Sequence, residues 1–509
     1  MAVEFILAHD LGTTGNKASL YDGRGKVLAS SFYGYTTQFP NPGWVEQNPE
    51  DWWQAVCVST SQLLSSTRVP AKNIACIVFS GQMMGCVAVD RLGRPLRNAM
   101  IWADGRATQE ADRLGETLGF ENAYRITGHR ISPNYASPKM VWIRNHQPEI
   151  FAQVHKFLLA KDFIVLRLTG KFVSDFTDAA SMNLIDLHTW NWSPPILEAL
   201  QLKPSRLPEL HASTDVVGEV LPAVAEETGL AAGTPVVIGG GDGLCATVGA
   251  GVVRPGSAYT YIGSSTWIAI TTPEPLLDPL MRTFTWLHML PGMYSPTGTM
   301  QAGGGSYQWL RDALCPQEKE TARQLDLSAY ELMNLEALKS PAGARGLLFL
   351  PYLLGERSPR WNPKARGAYL GLSMQHNRAD IIRATLEGVA LNMRVILEAF
   401  QAQGARIDSM RLIGGGARSS LWRQIMADIY NLPVLCPALL EEATSLGAAI
   451  AGGIGVGLFK DFQVAETLTP ILDTTQPNLA NQPLYNDLYR LFNQAYDALE
   501  PLYEQLAKI

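Results

Sequence analysis

The sequence is poor in cysteine and lacks the short motifs of several large enzyme classes. Its six cysteines are dispersed among 509 residues and form no Cys-x-x-Cys pair, which favours reduced thiols in the cytoplasm over a disulfide framework. It contains no Gly-x-x-x-x-Gly-Lys-Ser/Thr, Gly-x-Gly-x-x-Gly, His-Glu-x-x-His or Gly-x-Ser-x-Gly motif. These absences argue against a P-loop ATPase, a Rossmann dinucleotide site, a zincin and an α/β-hydrolase.

Basic runs and membrane-length apolar segments are also missing. The formal net charge is −6, so neither nucleic acid nor an anionic membrane is an expected partner. The first residues carry no basic segment and reach Asp10 too soon for a signal peptide. The uncharged stretch 443–459 contains five glycines and predicts a buried helix plus loop, not a membrane span. We therefore expect a soluble, cytoplasmic protein.

The apolar pattern predicts an α/β protein with two similar halves. Residues 3–9, 17–21 and 26–32 predict a meander of three strands joined by glycine-containing turns. Strand patterns recur at 235–238, 258–262 and 267–271, with a helix of small residues predicted over 244–251. The turns Gly12-Thr13-Thr14 and Gly263-Ser264-Ser265 occupy equivalent hairpins about half a chain apart. We expect two domains, 1–252 and 253–509, facing each other across a cleft.

The two turns and Asp10 are candidates for a phosphate and metal site. Backbone N–H groups and hydroxyls in such turns can form an anion nest for phosphate. Asp10 directly precedes the first turn, where a carboxylate can hold Mg²⁺ through water. The alternative is that both turns are purely structural.

Asp242 is the candidate catalytic residue. It follows a predicted buried strand among four glycines, so its carboxylate is expected at the strand's carboxyl end, facing the cleft. A carboxylate there can act as a general base toward a hydroxyl group. The alternative is an aspartate that caps the following helix.

Two further segments are candidates for ligand binding. The glycine-rich turn 414–416 joins a predicted strand to a predicted helix and can admit a flat ring or a phosphate, unless it is only a tight connection. In the first half, Gln82, Asp104 and Arg106 can hydrogen-bond a polyhydroxylated ligand on which Trp102 stacks. The alternative for Asp104 and Arg106 is a surface salt bridge.

In combination and order, these motifs resemble the FGGY family of carbohydrate kinases, within the actin/hexokinase/Hsp70 superfamily. The stretches 9–14, 261–265, 241–242 and 414–417 resemble its two phosphate motifs, its catalytic-aspartate motif and its adenosine motif. The stretches 351–359 and 367–372 resemble its signature. The resemblance implies two ribonuclease H-like domains, with the sugar and the catalytic Asp242 in the first and ATP bound mainly by the second. It also implies ATP and Mg²⁺ as cofactors, with Asp10 and Asp242 near the metal.

The site residues that the resemblance implies form two sets. The sugar would contact Gln82, Met83, Met84, Asp104, Arg106, Asp242 and Gly243. ATP would contact Thr13, Thr14, Lys17, Gly263, Ser264, Ser265, Gly304, Gln308, Gly415, Gly416 and Ser419.

Within the family the sequence is most similar to xylulokinases, which implies transfer of the γ-phosphate of ATP to D-xylulose. The similarity is carried by the stretches 42–47, 101–106, 136–139, 161–162 and 174–175. Two positions depart from that pattern: Met84 replaces a usual histidine and Gly243 a usual asparagine. Another ketose, a polyol or a sugar acid therefore remains open as substrate. A non-catalytic sugar-binding regulatory protein and an Hsp70-like ATPase are alternatives of other classes.

The C-terminal residues 484–506 predict one amphipathic helix, with Leu488, Leu491, Ala495 and Leu499 on its apolar face. We expect this helix to pack on the second domain. The alternative is a subunit interface, since a homodimer is common among proteins of this family.

Overall fold

The computed structural model describes residues 4–508, and two large mixed sheets dominate it. The strands are β1 Phe5–Leu11, β2 Gly15–Asp22, β3 Val27–Gly34, β4 Glu46–Gln47, β5 Ile74–Gly81, β6 Val87–Val89, β7 Ala99–Met100, β8 Lys156–Leu158, β9 Val173–Asp175, β10 Ile185–Asp186, β11 Asn191–Trp192, β12 Glu209–His211, β13 Val216–Glu219, β14 Pro235–Gly241, β15 Ala258–Ile262, β16 Thr266–Ile270, β17 Phe284–Leu287, β18 Tyr294–Met300, β19 Leu348–Leu350, β20 Ala368–Leu370, β21 Met410–Ile413, β22 Val434–Pro437 and β23 Ile471–Thr475.

The α-helices lie between and around these strands. They are α1 Pro49–Thr67, α2 Thr108–Leu118, α3 Phe120–Thr127, α4 Ala136–His146, α5 Pro148–Gln153, α6 Ala160–Thr169, α7 Phe176–Ala180, α8 Pro194–Leu200, α9 Pro222–Thr228, α10 Asp242–Gly249, α11 Gly303–Leu314, α12 Pro316–Leu325, α13 Ala329–Ala337, α14 Arg378–Ala402, α15 Ser420–Tyr430, α16 Ala443–Gly455, α17 Val464–Leu468 and α18 Gln482–Leu506.

The two sheets repeat one arrangement. In the first, with order β13-β14-β5-β1-β2-β3, the meander β1-β2-β3 is antiparallel, and β5 and β14 run parallel to β1. In the second, with order β17-β18-β16-β15-β21-β22-β23, β15, β16 and β18 are antiparallel, and β21 and β22 continue parallel to β15. The predicted fold, two ribonuclease H-like α/β domains, is confirmed. The domain boundary at residue 252 stays a prediction.

Close helix packing joins the two sheets. Helix α16 lies between strands β22 and β23 of the second sheet along the chain, yet it packs on α10 and on β1, β5 and β14 of the first. Glycine makes this approach possible, because a Cβ on Gly249 would lie 1.8 Å from the carbonyl oxygen of Ala443, and one on Gly447 would lie 1.9 Å from that of Cys245. The small residues predicted over 244–251 serve this contact.

The C-terminal helix α18 packs on the second domain, as expected. Of the predicted face, Leu488 is buried and Ala495 and Leu499 pack partly buried against the core, whereas Leu491 is 41% exposed. Tyr485, Phe492 and Tyr496 are buried on the same side. The large aromatic side chains, which the aliphatic pattern left out, define the packed stripe. Within residues 4–508, no helix is long and apolar enough to cross a membrane.

Candidate active site

The parallel strands of the first sheet bring three distant segments to one edge. Strand β5 lies between β1 and β14, with Ser80 beside Asp10 and Gly81 beside Gly241. Because the carboxyl ends of parallel strands share an edge, Asp10, the turn after β5 and Asp242 converge there. Chain topology therefore places the two candidate carboxylates and the 82–85 loop together.

A cavity of about 500 Å³ opens at this edge, and both halves of the chain line it. The first half contributes Asp10, Gly12, Thr13, Met83, Met84, Trp102, Asp242 and Gly243, among others. The second half contributes Tyr261, Ser265, Trp267, Phe284, Trp286, Arg357, Gly414 and Glu441, among others. A cavity of this size between two domains is typical of a small-molecule site.

Asp242 is the first residue of α10 and faces this cavity. Its Oδ1 accepts a hydrogen bond from the Gly243 N–H at 2.7 Å, while Oδ2 accepts none from the described chain. Burial raises the pKa of this carboxyl to about 7, with a further contribution from the negative charge of Asp10, and the Gly243 N–H opposes the rise. A carboxylate with a pKa near neutrality and one free oxygen can take a proton from a hydroxyl group.

Asp10 fits the role of a magnesium ligand. Its Oδ1 accepts from the Ser80 hydroxyl at 3.1 Å, and burial raises its pKa to about 6, opposed by Ser80 and by the charge of Lys17. In residues 4–508, no three His, Cys, Asp or Glu side chains are grouped to enclose a metal ion. Mg²⁺ suits such an open site, because it binds one or two carboxylates and takes its other ligands from water and phosphate oxygens. A cation here would also relieve the repulsion between Asp10 and Asp242.

The two predicted phosphate turns both reach the cavity, in part. Gly12 N–H donates to the Gly15 oxygen at 3.0 Å and closes the β1–β2 turn, and Gly263 N–H donates to the Ser265 oxygen at 3.0 Å and closes β15–β16. Of their residues, Gly12, Thr13 and Ser265 line the cavity. The other members, Thr14, Gly263 and Ser264, sit in the same turns outside its lining.

Three further predicted ATP residues, Gly304, Gln308 and Lys17, do not line the cavity. Gly304 N–H donates to the Gly263 oxygen at 2.9 Å, so α11 begins against that turn, and Gln308 is exposed one turn later. On the first domain, Lys17 pairs with Glu442 at 2.5 Å.

The turn 414–416 presents bare backbone at its centre. Gly414 lines the cavity, and a Cβ on Gly415 would meet nothing within 4 Å, whereas one on Gly416 would lie 2.3 Å from Ile262. Gly416 is therefore required for packing, and Gly415 leaves an open face. The hydroxyl of Ser419 caps α15 by accepting from Trp422 N–H.

The structure places three predicted sugar residues behind the cavity wall. Met83, Met84 and Gly243 line the cavity, but Gln82, Asp104 and Arg106 do not. Asp104 is fully buried: its Oδ2 accepts from Val45 N–H at 2.7 Å and from the Arg106 guanidinium at 2.6 Å.

The side chains of Arg106 and Gln82 also contact other side chains of the protein. Arg106 lies 3.8 Å over the ring of Trp44, and Gln82 donates to Gln47 at 2.9 Å. The Asp104–Arg106 pair is thus buried and is not a surface salt bridge. Neither side chain lines the cavity, and Nη1 of Arg106 has no hydrogen-bond partner among the described residues; the contact with the sugar stays a prediction. These residues support the wall on which Met84 and Trp102 lie.

Sequence reasoning missed the aromatic wall from the second domain. Tyr261 and Trp267 stack with ring centroids 4.0 Å apart, and Phe284 and Trp286 continue this surface. Tyr261 belongs to the stretch 261–265 that resembles the second phosphate motif, and no motif marks the others. Their positions on strands β15, β16 and β17 of one sheet are the signal that the fold supplies.

Comparisons of sequence and of structure with known proteins agree for both halves of the chain. Residues 5–249 match the FGGY family of carbohydrate kinases, N-terminal domain, and residues 258–456 match its C-terminal domain. The xylulose kinase of Bacillus subtilis is 34% identical, with 97% of each chain covered, and the gluconokinase of Bacillus licheniformis is 33% identical, with 99% of this chain and 98% of that one covered. The crystal structure of the xylulose kinase of Rhodospirillum rubrum superposes with a TM-score of 0.91 at 30% identity, covering 98% of this chain and 100% of that one.

Proposed function

Because the chain belongs to the FGGY family of carbohydrate kinases and is an ATP-dependent sugar kinase, we propose that its substrate is D-xylulose and that its terminal hydroxyl is phosphorylated. Xylulose kinases recur among its full-length relatives. The observation that carries the reaction is the convergence of Asp242, Asp10 and the two opposed Gly-Thr/Ser turns on one cavity.

In this proposal Asp242 is the general base. The free Oδ2 accepts the proton of the sugar hydroxyl as that oxygen attacks the γ-phosphorus, and the bond to the leaving ADP oxygen breaks. Gly243 N–H keeps the carboxylate oriented through Oδ1. General-base catalysis of this kind contributes ~10²–10⁴-fold, and most of the remainder comes from positioning and electrostatics.

Phosphate binding is assigned to the two facing turns. Backbone N–H groups and hydroxyls of 12–14 and 263–265 would hold the phosphates, and adenosine would lie against the open face of Gly415. Mg²⁺, held through water by Asp10 and Asp242, would offset phosphate charge when bound. Since the turns belong to different domains, closure of the cleft would bring the reactive groups together and exclude water.

A sugar acid is the second candidate substrate class, and Arg357 favours it. The Arg357 side chain lines the cavity. Among residues 4–508 its guanidinium forms no ion pair, and it is the backbone N–H of Arg357 that donates a hydrogen bond to Glu356. A guanidinium binds a carboxylate through paired hydrogen bonds, so it could hold the acid end of an aldonate. The full-length similarity to gluconokinases is in line with this alternative.

The test is sugar-dependent ADP release with Mg·ATP across D-xylulose, other ketoses, polyols and D-gluconate, with Asp242→Asn as the inactive control. Preference for D-xylulose would establish the proposal and make Met84 and Gly243 tolerated substitutions. Preference for D-gluconate, abolished by Arg357→Met, would replace it with the sugar-acid assignment. ATP binding without turnover of any sugar would favour a regulatory protein.

We place the enzyme in the cytoplasm, where ATP is supplied and where its six free thiols stay reduced. A homodimer stays a prediction, which sedimentation of the purified protein would test.

A further inference from the structure

Met84, on the sugar side of the cavity, has an unusual backbone that is fixed from both sides. Its φ of 65° lies in the left-handed region, which residues other than glycine seldom adopt. Its N–H donates to the hydroxyl of Ser181 at 2.8 Å, and its carbonyl accepts from the Lys139 ammonium at 3.0 Å. Both partners are fully buried. Such conformations persist when the surroundings over-determine them, and they cluster at functional sites.

Lys139 connects Met84 to the rest of the same wall. Its ammonium also donates to the carbonyl oxygens of Ile101 at 2.7 Å and Asn134 at 2.6 Å, so that all three of its N–H groups are used. Asn134 in turn donates to the carbonyl oxygen of Trp102 at 2.9 Å. Three segments distant in sequence therefore meet at one side chain, and two of them carry the cavity-lining Met84 and Trp102.

Stability does not account for a lysine here. In the described part of the chain, Lys139 has no carboxylate within ion-pair distance, and burial lowers the pKa of its ammonium to about 7. A buried cation held by carbonyl dipoles and by the more distant charge of Asp104 is costly, and an apolar side chain of similar volume would often serve the fold equally well. The Lys139 ammonium instead fixes the distances between three loops, because it donates a hydrogen bond to a carbonyl oxygen of each.

We propose that Lys139 and Ser181 are positioning residues that assemble the sugar-binding wall before the sugar arrives. They touch no substrate; they hold Met84 and Trp102 at the spacing that the sugar requires. This inference rests on the proposed function in one respect, namely that the sugar binds against this wall.

The test compares Lys139→Met and Ser181→Ala with two matched controls. Lys156→Met removes another lysine that donates to a backbone carbonyl, that of Leu207 at 2.6 Å, in a strand that does not line the cavity. Ser193→Ala removes a buried hydroxyl that has no hydrogen-bond partner among the described residues. For each protein we would measure KM for D-xylulose, KM for ATP, kcat and the thermal midpoint.

We expect Lys139→Met to raise the KM for D-xylulose at least ~10-fold and Ser181→Ala at least ~3-fold. KM for ATP should stay within twofold, and the thermal midpoint should not fall below that of the controls. Direct titration of D-xylulose, followed by tryptophan fluorescence, should show the same loss of affinity. An unchanged sugar KM would overturn the inference, as would a parallel rise of both KM values with a lowered midpoint.

The wild type separates this result from a failure of the proposed function. If it phosphorylates another sugar in the panel, D-xylulose is the wrong substrate. The variants are then expected to raise the KM for that sugar and leave the KM for ATP unchanged. If it phosphorylates none, the premise fails and the inference falls with it.

Discussion

Replacing Asp242 with asparagine should lower turnover at least ~100-fold and stabilise the fold, more at pH 8 than at pH 5. In the folded protein the pKa of Asp242 is about 7, against 3.8 for an unperturbed aspartate, because burial and the charge of Asp10 disfavour the ionised form. When the pKa of a carboxyl is higher in the folded than in the unfolded state, its ionisation lowers the free energy of unfolding. This destabilisation grows from about pH 4 and is complete above pH 7. The amide introduced by Asp242→Asn keeps an oxygen for the Gly243 N–H and carries no charge.

The magnitude follows from the two pKa values. About three units at 1.36 kcal/mol each give an upper limit of ~4 kcal/mol at pH 8, which solvent in the open cleft reduces. At pH 5 the same arithmetic gives ~1.6 kcal/mol, because the folded carboxyl keeps its proton. The gain in the free energy of unfolding of Asp242→Asn over the wild type should therefore grow by ~2 kcal/mol between pH 5 and pH 8. For a domain of this size that corresponds to on the order of 5 °C in thermal midpoint.

The assay is scanning calorimetry of both proteins at pH 5 and pH 8, with ADP release measured in parallel. Asp408→Asn, a change at an exposed aspartate, is the control and should show no pH-dependent gain. We expect kcat of Asp242→Asn to fall at least ~100-fold, the lower end for a lost general base. A stability gain that is equal at both pH values would refute the burial argument, and near-normal turnover would refute the catalytic one.

Local sequence signals were enough to predict the scaffold of the site. The strands predicted at 3–9, 17–21 and 26–32 are found at Phe5–Leu11, Gly15–Asp22 and Val27–Gly34, because short apolar runs bounded by glycine turns determine a hairpin locally. The strand before Asp242 extends three residues further than predicted, to Gly241, because the register shifts at Gly239, whose φ is 70°, and pairing with β5 resumes at Gly240. The carboxylate still emerges at the carboxyl end of a buried strand, as expected.

Side-chain direction in the loops could not be predicted in the same way. Asp104 and Arg106 follow a strand beside Trp102, yet they do not line the cavity, because they contact Val45 N–H and the ring of Trp44, about sixty residues earlier in the chain. The stretch 136–139 was marked by the family resemblance, but the role of Lys139 could not be predicted, since its three carbonyl partners carry no sequence signature. Pairings between distant backbone groups become known only with the fold.

Three further predictions address the pH profile of catalysis, the sugar-binding wall at Met84 and the glycine-rich turn 414–416. The kcat/KM of the wild type should fall tenfold per unit below about pH 7 as Asp242 takes up a proton, and a flat profile from pH 5 to 8 would contradict its role as base. Met84→His should keep the left-handed backbone, which histidine tolerates, and lower the KM for D-xylulose by ~2–10-fold through one new hydrogen bond, with Met84→Leu as the control. Gly415→Ala and Gly416→Ala should separate binding from packing. A methyl on Gly415 points into open space, so it should raise the KM for ATP several-fold at unchanged thermal midpoint, whereas one on Gly416 would lie 2.3 Å from Ile262 and should lower the midpoint. Because the two substitutions are chemically identical and adjacent, an unchanged KM for ATP in Gly415→Ala would mean that adenosine does not lie against this turn.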